Sequence, residues 1–129
     1  MKEFSDQQFD ALITRAMDEL PQEYIKGLQN VAILMADEPD EYQREKSHLG
    51  SGQLLLGLYE GVPRTHRNGS ESGILPDKIT LFKYALLSVT HDEQSLFEQI
   101  KRTLWHEIAH YYGLDHEHID HLERRPKSQ

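Results

Sequence analysis

Apolar residues recur with helical spacing in two segments of the chain and form short continuous runs between them. The first helical segment has its apolar residues on one face, at Phe9, Leu12, Ile13 and Ala16. Ser5 precedes it and can serve as an N-cap, and Pro21 follows it where the chain must leave the helix. The pattern predicts an amphipathic helix between Ser5 and Pro21.

The longest helical pattern lies in the second half of the chain. Its apolar row has four-residue spacing and consists of Leu96, Ile100, Leu104 and Ile108. Thr90 followed by Glu93 predicts a capping box at the start of this helix, and Gly113 predicts its end. A helix from Asp92 to Tyr112 would be about 31 Å long at ~1.5 Å per residue.

The apolar runs between these helices are short and partly β-branched, which is typical of strands. We predict strands at Val31 to Met35, at Leu54 to Tyr59, and at the sequence KITLF, which ends at Phe82. The sequence KYALLSV then forms a short apolar connection that is compatible with a helix, and HEHIDHLERR suggests a final short helix. The stretch between the last two strands is rich in Gly, Pro, Asn and Ser and predicts a long loop. This order predicts an α+β fold with a small mixed β-sheet packed against the long helix and the N-terminal helix.

The length of 129 residues favours one domain, which we place at residues 1–125, with a frayed tail at 126–129. The net charge of −8 disfavours nucleic acid as a partner. The start of the chain, MKEFSDQQFD, lacks the apolar run of a secretory signal, and no stretch reaches the length of a membrane span. We therefore expect a cytoplasmic protein with no membrane partner. The absence of cysteine excludes thiolates as nucleophiles or metal ligands.

Five of the eight histidines lie in the sequence WHEIAHYYGLDHEHIDHLE. His106 and His110 are four residues apart on the long helix, so both imidazoles project from one face and can bind a single ion. Glu107 projects about 100° away from His106, which lets it hold a water that is bound to the metal. Gly113 can adopt positive φ and turn the chain sharply, which can bring His116 back as a third ligand.

The complete pattern is H-E-x-x-H-x-x-G-x-x-H, and chance would produce it in on the order of one in several thousand chains of this composition. The alternative interpretation is a polar helix end where histidine favours the negative pole of the helix. The pattern favours a zinc site made of His106, His110 and His116, with His118 or Asp120 as alternative third ligands. The remaining isolated histidines are expected to be surface residues, at His48, His66 and His91.

The same string resembles the zincin superfamily of metallopeptidases, and its extended spacing is similar to that of the metzincins. Metzincins carry a methionine turn after the third histidine, but no Met follows His116 here. The resemblance is more complete to the short bacterial minimal zincins, through LLGLYEGVP, ILPDKITLF and IKRTLWHEIAHYYGLDH. It covers the chain from about Val31 onward and implies a compact minimal zincin fold, metallopeptidase activity and a peptide or protein substrate.

Two other functional classes remain as alternatives. HYYGLDH resembles part of the metal site of bacterial ribosomal-RNA-processing endoribonucleases, but Glu107 stands where that family has glycine. The second alternative is a non-catalytic metal-binding or interaction module on a zincin scaffold. Peptide deformylases share H-E-x-x-H but need a cysteine ligand, and no Gly-x-Ser-x-Gly motif is present for a serine hydrolase.

The expected mechanism is amide hydrolysis by a zinc-activated water, with Glu107 as the general base that later passes its proton to the leaving amine. The aromatic residues Trp105, Tyr111 and Tyr112 are expected to pack against the sheet, although a tyrosine hydroxyl near the metal could help to stabilise an oxyanion. Zincins bind an extended peptide along an edge strand. Pro76 precedes KITLF and suits an edge position, so Ile79 to Phe82 are predicted to form that edge, with backbone groups facing the zinc.

Overall fold

The structure, a computed structural model, describes residues 4–50, 52–61 and 75–114. Its helices are α1 (Asp6–Glu19), α2 (Gln22–Lys26), α3 (Glu41–Lys46), α4 (Lys83–Ser88) and α5 (Glu93–Tyr111). Its strands are β1 (Val31–Ala36), β2 (Gly57–Glu60) and β3 (Asp77–Phe82). The predicted α+β class is confirmed, and β2 begins three residues later than the strand predicted from Leu54. The predicted C-terminal helix lies outside the described residues.

The N-terminal helix begins and ends as predicted. The Ser5 Oγ accepts the backbone N–H of Gln8 over 3.0 Å, and the Gln8 side chain accepts the Ser5 N–H over 2.8 Å. This reciprocal pair satisfies two N–H groups that the helix itself leaves without partners. All four predicted face residues of α1 are buried.

The N-cap of α5 is Asp92, so the predicted capping box of Thr90 and Glu93 is wrong. The Asp92 carboxylate accepts the backbone N–H of Ser95 over 2.7 Å. The Thr90 hydroxyl instead donates to the carbonyl of Leu86 over 2.9 Å, where it satisfies an acceptor at the end of α4. The Thr90 hydroxyl, which the sequence pattern assigned to the N-terminus of α5, therefore bonds instead to α4, the short helix just before α5.

The sheet has the order β1-β3-β2, with β1 parallel and β2 antiparallel to β3. The central strand is β3, so the prediction that Ile79 to Phe82 form the edge is wrong. Ile79, Leu81 and Phe82 are each 0% exposed, because β3 is paired on both sides and buried on both faces. Pro76 lies just before the strand, where its missing N–H removes no sheet hydrogen bond.

The core lies between the sheet and the two long helices. Helix α5 packs on β2 and β3, and α1 packs mainly against α5. The predicted apolar row of α5 is 0% exposed at all four of its positions: Leu96, Ile100, Leu104 and Ile108. Within the described ranges, no helix combines the length and apolar character needed to cross a bilayer.

Candidate metal centre

Helix α5 brings His106, Glu107 and His110 together at the point where its surface changes from core to solvent. One ligand atom from each residue can be chosen so that all three lie within 4.8 Å of one another. The two imidazole rings have their centroids 4.8 Å apart and are inclined at 75°. Two imidazole nitrogens at this spacing suit a zinc ion, and the carboxylate between them suits a water bound to that ion, so these residues fit the predicted metal. Their roles as ligands and base remain predictions.

The burial of these three residues differs in a way that suits their predicted roles. Glu107 is only 8% exposed, His106 is half-buried and His110 is exposed. The adjacent residues Ile108 and Ala109 are both 0% exposed and hold this turn of the helix against the core. The helix thus leaves two imidazoles accessible to solvent while the carboxylate between them is largely shielded from water.

The Glu107 carboxylate has a partner on β2 that the sequence pattern did not indicate. The backbone N–H of Tyr59 donates to the Oε1 of Glu107 over 3.0 Å. Burial raises the pKa of Glu107 from its ordinary 4.5 to about 7, and the hydrogen bond from Tyr59 opposes that rise. A carboxyl group with a pKa near neutrality can both accept and return a proton. Tyr59 lies 48 residues before Glu107, and the only sequence signal for it was its place in the family-like string LLGLYEGVP.

Strand β2 lies directly beside α5, and the two elements run in the same direction. The Phe82 N–H donates to the carbonyl of Leu56, so these two opposite residues form a hydrogen-bonded pair. Hydrogen-bonded and non-hydrogen-bonded pairs alternate along an antiparallel ladder. Gly57 and Tyr59 are therefore in non-hydrogen-bonded pairs and direct their backbone groups away from β3. Gly57 lies beside Thr103 and Tyr59 beside Glu107. Two strand residues cover ~6.8 Å and four helical residues ~6 Å, so the strand and the helix remain in step.

The turn predicted at Gly113 is present. Gly113 has φ 75°, its N–H donates to the carbonyl of His110 over 3.0 Å, and the Leu114 N–H donates to the carbonyl of Ala109 over 3.0 Å. This pair of bonds is a Schellman motif, which ends a helix and turns the chain. The predicted ligand His116 lies outside the described residues, as do the alternatives His118 and Asp120 and the isolated His66.

The aromatic residues around the site are held by packing and by backbone hydrogen bonds. Trp105 is 4% exposed and meets the ring of Tyr24 on α2 edge-to-face, so it packs against α2 where packing against the sheet was predicted. The Tyr112 hydroxyl donates to the carbonyl of Tyr24 over 2.6 Å, and the Tyr111 hydroxyl accepts the N–H of Gln29 over 3.1 Å. Both hydroxyls bond backbone between residues 24 and 29, which does not support a role in stabilising an oxyanion.

His48 and His91 are exposed, as expected for surface residues. His91 makes a 3.6 Å contact with Asp92, its neighbour in the chain, and neither histidine belongs to the metal-type cluster on α5.

Comparison with known proteins agrees with this arrangement. The sequence matches the family described as zincin-like metallopeptidase over residues 28–125. Among solved structures it is similar to a conserved hypothetical protein from Thermo thermophilus, with a TM-score of 0.57 and 22% sequence identity, over 84% of this chain and 94% of that one. At that identity the likeness shows the fold alone. No curated protein matches the chain. Because the family match spans most of the chain and includes the α5 site, the protein belongs to the zincin-like metallopeptidase family.

Proposed function

We propose that the protein is a zinc-dependent peptidase in which Glu107 is the general base. The observation that carries the proposal is the placement of a shielded carboxylate among two imidazoles on one helix face. His106 and His110 would hold the metal, together with a third ligand from the segment after Gly113. His116 is our choice for that ligand, and His118 and Asp120 are the alternatives.

When bound, zinc would polarise the scissile carbonyl and make a water molecule acidic enough to lose a proton near neutral pH. Glu107 accepts that proton at its carboxylate and returns it to the leaving amine, a role that suits a shielded carboxylate beside the two imidazoles. Tyr59 contributes through its backbone N–H, which holds one oxygen of the Glu107 carboxylate. The low exposure of Glu107 limits competition from bulk water for the same proton.

The substrate is a peptide in extended conformation, and strand β2 is the edge beside which it would lie. β2 is an outer strand of the sheet as described, and it is the strand that contacts Glu107. Gly57 directs its backbone groups away from β3, toward the side where a further strand could pair, and the Tyr59 N–H on that side already donates to Glu107. We therefore propose β2, in place of β3, as the strand beside which the substrate lies.

The test compares the wild-type protein with Glu107→Gln. Glutamine keeps the shape of the side chain and an oxygen that accepts the Tyr59 N–H, but it cannot accept a proton from water. We expect Glu107→Gln to bind zinc as the wild type does and to cleave a peptide library at least ~100-fold more slowly. Metal content is measured by mass spectrometry in the same samples.

Other results would support the competing functions. If zinc-loaded wild-type protein cleaves no peptide in a broad library, the peptidase proposal fails and a binding module on the same scaffold replaces it. If it instead cuts a structured RNA in a metal-dependent way, the endoribonuclease alternative is correct. Equal peptide cleavage by wild type and Glu107→Gln would remove Glu107 from the mechanism.

A further inference from the structure

The side chain of Tyr59 connects the edge strand to the start of the central strand. Its hydroxyl donates to the Oδ2 of Asp77 over 2.7 Å. Tyr59 lies opposite Ile79, so Asp77 is its diagonal neighbour, on the same face of the sheet and two residues away along β3. A tyrosine is long enough to reach such a diagonal partner. The hydrogen bond therefore ties β2 to the first residue of β3.

Asp77 is a firm anchor for that bond. It is 4% exposed, its backbone N–H donates to the carbonyl of Asn30 over 3.0 Å, and it pairs with Val31 at the start of β1. A buried carboxylate needs hydrogen-bond donors, which makes the Tyr59 hydroxyl costly to remove. Asp77 is thus held by the two parallel strands, while Tyr59 belongs to a strand of only four residues.

The ring of Tyr59 has a second contact, on the helix that carries the metal centre. It meets the ring of Tyr111 edge-to-face, with centroids 6.0 Å apart. Tyr111 directly follows His110, and its hydroxyl accepts the N–H of Gln29 over 3.1 Å. The Tyr59 side chain is therefore fixed at its hydroxyl by the sheet and along its ring by α5.

We propose that Tyr59 is a positioning residue for Glu107, and that Asp77 holds Tyr59 in place. The side chain acts through the backbone of its own residue: anchoring it fixes β2 so that the Tyr59 N–H points at the Oε1 of Glu107. Within the described part of the sheet β2 is bonded on one side only, and a short strand held in this way opens easily without such an anchor. This inference rests on the proposed function, because Glu107 is taken to be the general base.

The consequence for catalysis is a change in rate more than in substrate binding. A base that is held in one orientation has less freedom to lose as the reaction proceeds. Releasing Tyr59 from Asp77 should therefore lower kcat and leave KM nearly unchanged. It should also leave zinc binding unchanged, since neither residue is among the predicted ligands.

The first experiment measures amide hydrogen exchange by NMR in metal-free, ¹⁵N-labelled protein, so its result does not depend on peptidase activity. Glu107→Ala removes the acceptor and should reduce the protection of the Tyr59 amide. Tyr59→Phe and Asp77→Ala each break the anchoring bond and should lower that protection at least ~10-fold. Asp77→Asn keeps an acceptor oxygen, so the Tyr59 amide should be about as protected in this variant as in the wild type. Tyr112→Phe is the matched control, because it removes a hydroxyl that bonds the Tyr24 carbonyl on α2.

The second experiment measures kcat, KM and thermal stability of the zinc-loaded variants. We expect Tyr59→Phe and Asp77→Ala to lower kcat at least ~10-fold with KM within about two-fold of wild type, while Asp77→Asn and Tyr112→Phe stay close to wild type. If Tyr59→Phe does not fold, the two Asp77 variants decide the matter with the tyrosine ring in place. The inference would be overturned if Tyr59→Phe and Asp77→Ala lost only as much stability as Tyr112→Phe and left kcat and Tyr59 amide protection unchanged. The bond between Tyr59 and Asp77 would then contribute only to packing.

The two experiments separate this inference from the proposed function. If the wild type cleaves no peptide, the peptidase proposal fails, and the exchange data still decide whether the bond to Asp77 holds the Tyr59 amide on Glu107. If the wild type cleaves peptide but the anchoring variants change neither amide protection nor kcat, the positioning role alone is wrong.

Discussion

Gly57 on β2 lies so close to Thr103 on α5 that a Cβ at position 57 would stand 2.7 Å from the Thr103 Cγ2. The same Cβ would also meet Leu81 at 3.2 Å and the carbonyl of Thr80 at 3.3 Å. The absence of a side chain at position 57 is therefore what allows the edge strand to approach the metal-site helix. That approach in turn lets the next outward-directed residue, Tyr59, reach Glu107.

The first prediction tests this close approach. Gly57→Ala should lower the free energy of unfolding by about 1–3 kcal/mol, because the strand must move away from α5 to make room for the methyl group. Thr103→Ser removes the nearest methyl group and keeps the hydroxyl that accepts from Gln99. In the Thr103→Ser background the cost of Gly57→Ala should fall, as measured by urea unfolding of all four proteins. Equal costs in both backgrounds would contradict a clash with Thr103.

The second prediction concerns the metal ligands. His106→Ala and His110→Ala should each abolish stoichiometric zinc binding, because two ligands preset on one helix provide most of the geometry of the site. Zinc per chain is measured by mass spectrometry after purification without added metal. His91→Ala, which removes an exposed histidine two residues before α5, is the control and should keep the wild-type metal content.

The third ligand is assigned with the same measurement. His116→Ala should weaken zinc binding more than His118→Ala or Asp120→Ala does. If either of the latter has the larger effect, that residue takes the place of His116. Wild-type metal content in both His106→Ala and His110→Ala would exclude the ligand set on α5 altogether.

The third prediction concerns the stability of the metal-free protein as pH changes. Burial raises the pKa of Glu107 from 4.5 to about 7, so ionised Glu107 opposes folding. This cost is absent below about pH 4.5, grows as pH rises toward 7 and is complete above 7, where it reaches at most about 3 kcal/mol. Glu107→Gln cannot ionise, so its stability advantage over the wild type should appear across that window.

The measurement is urea unfolding of chelator-treated protein at about pH 5, 6, 7 and 8, which covers most of the range in which Glu107 is expected to titrate. Glu38→Gln removes an exposed carboxylate and controls for the change in net charge. A difference between Glu107→Gln and wild type that stays constant from pH 5 to pH 8 would show that burial does not perturb this group.

The fourth prediction tests the turn that ends α5. Gly113 has φ 75°, and no atom of the described residues lies within 4 Å of a Cβ built on it, so among these residues a substitution is opposed by backbone strain and not by a clash. Gly113→Ala should destabilise the protein by about 1 kcal/mol, and Gly113→Asn by less, because asparagine tolerates the left-handed conformation better. Thermal unfolding measures both effects. Zinc affinity should fall in the same order, since the turn leads to the proposed third ligand; unchanged affinity in Gly113→Ala would separate that ligand from the turn.

Local pattern in the sequence was sufficient for the features that depend on residues close together in the chain. The buried face of α1, the apolar row of α5, the common face of His106 and His110, and the left-handed turn at Gly113 were all predicted. Each depends on helical periodicity or on the freedom of glycine, and both act over a few residues. The prediction of a capping box at Thr90 was wrong because the neighbouring helix α4 provided a competing acceptor for the Thr90 hydroxyl.

The tertiary structure alone decided which strand lies in the centre and which residues face Glu107. The apolar sequence of β3 was compatible with either an edge or an interior position, and its pairing with β1 and β2 on opposite sides settled the question. The bond from Tyr59 to Glu107 and the bond from Tyr59 to Asp77 join residues 48 and 18 positions apart. Such contacts arise from the pairing of strands and the packing of a strand on a helix, and no local periodicity encodes them. The sequence thus determined the chemistry that α5 presents, and the packing of β2 beside α5 determined the burial and orientation of its carboxylate.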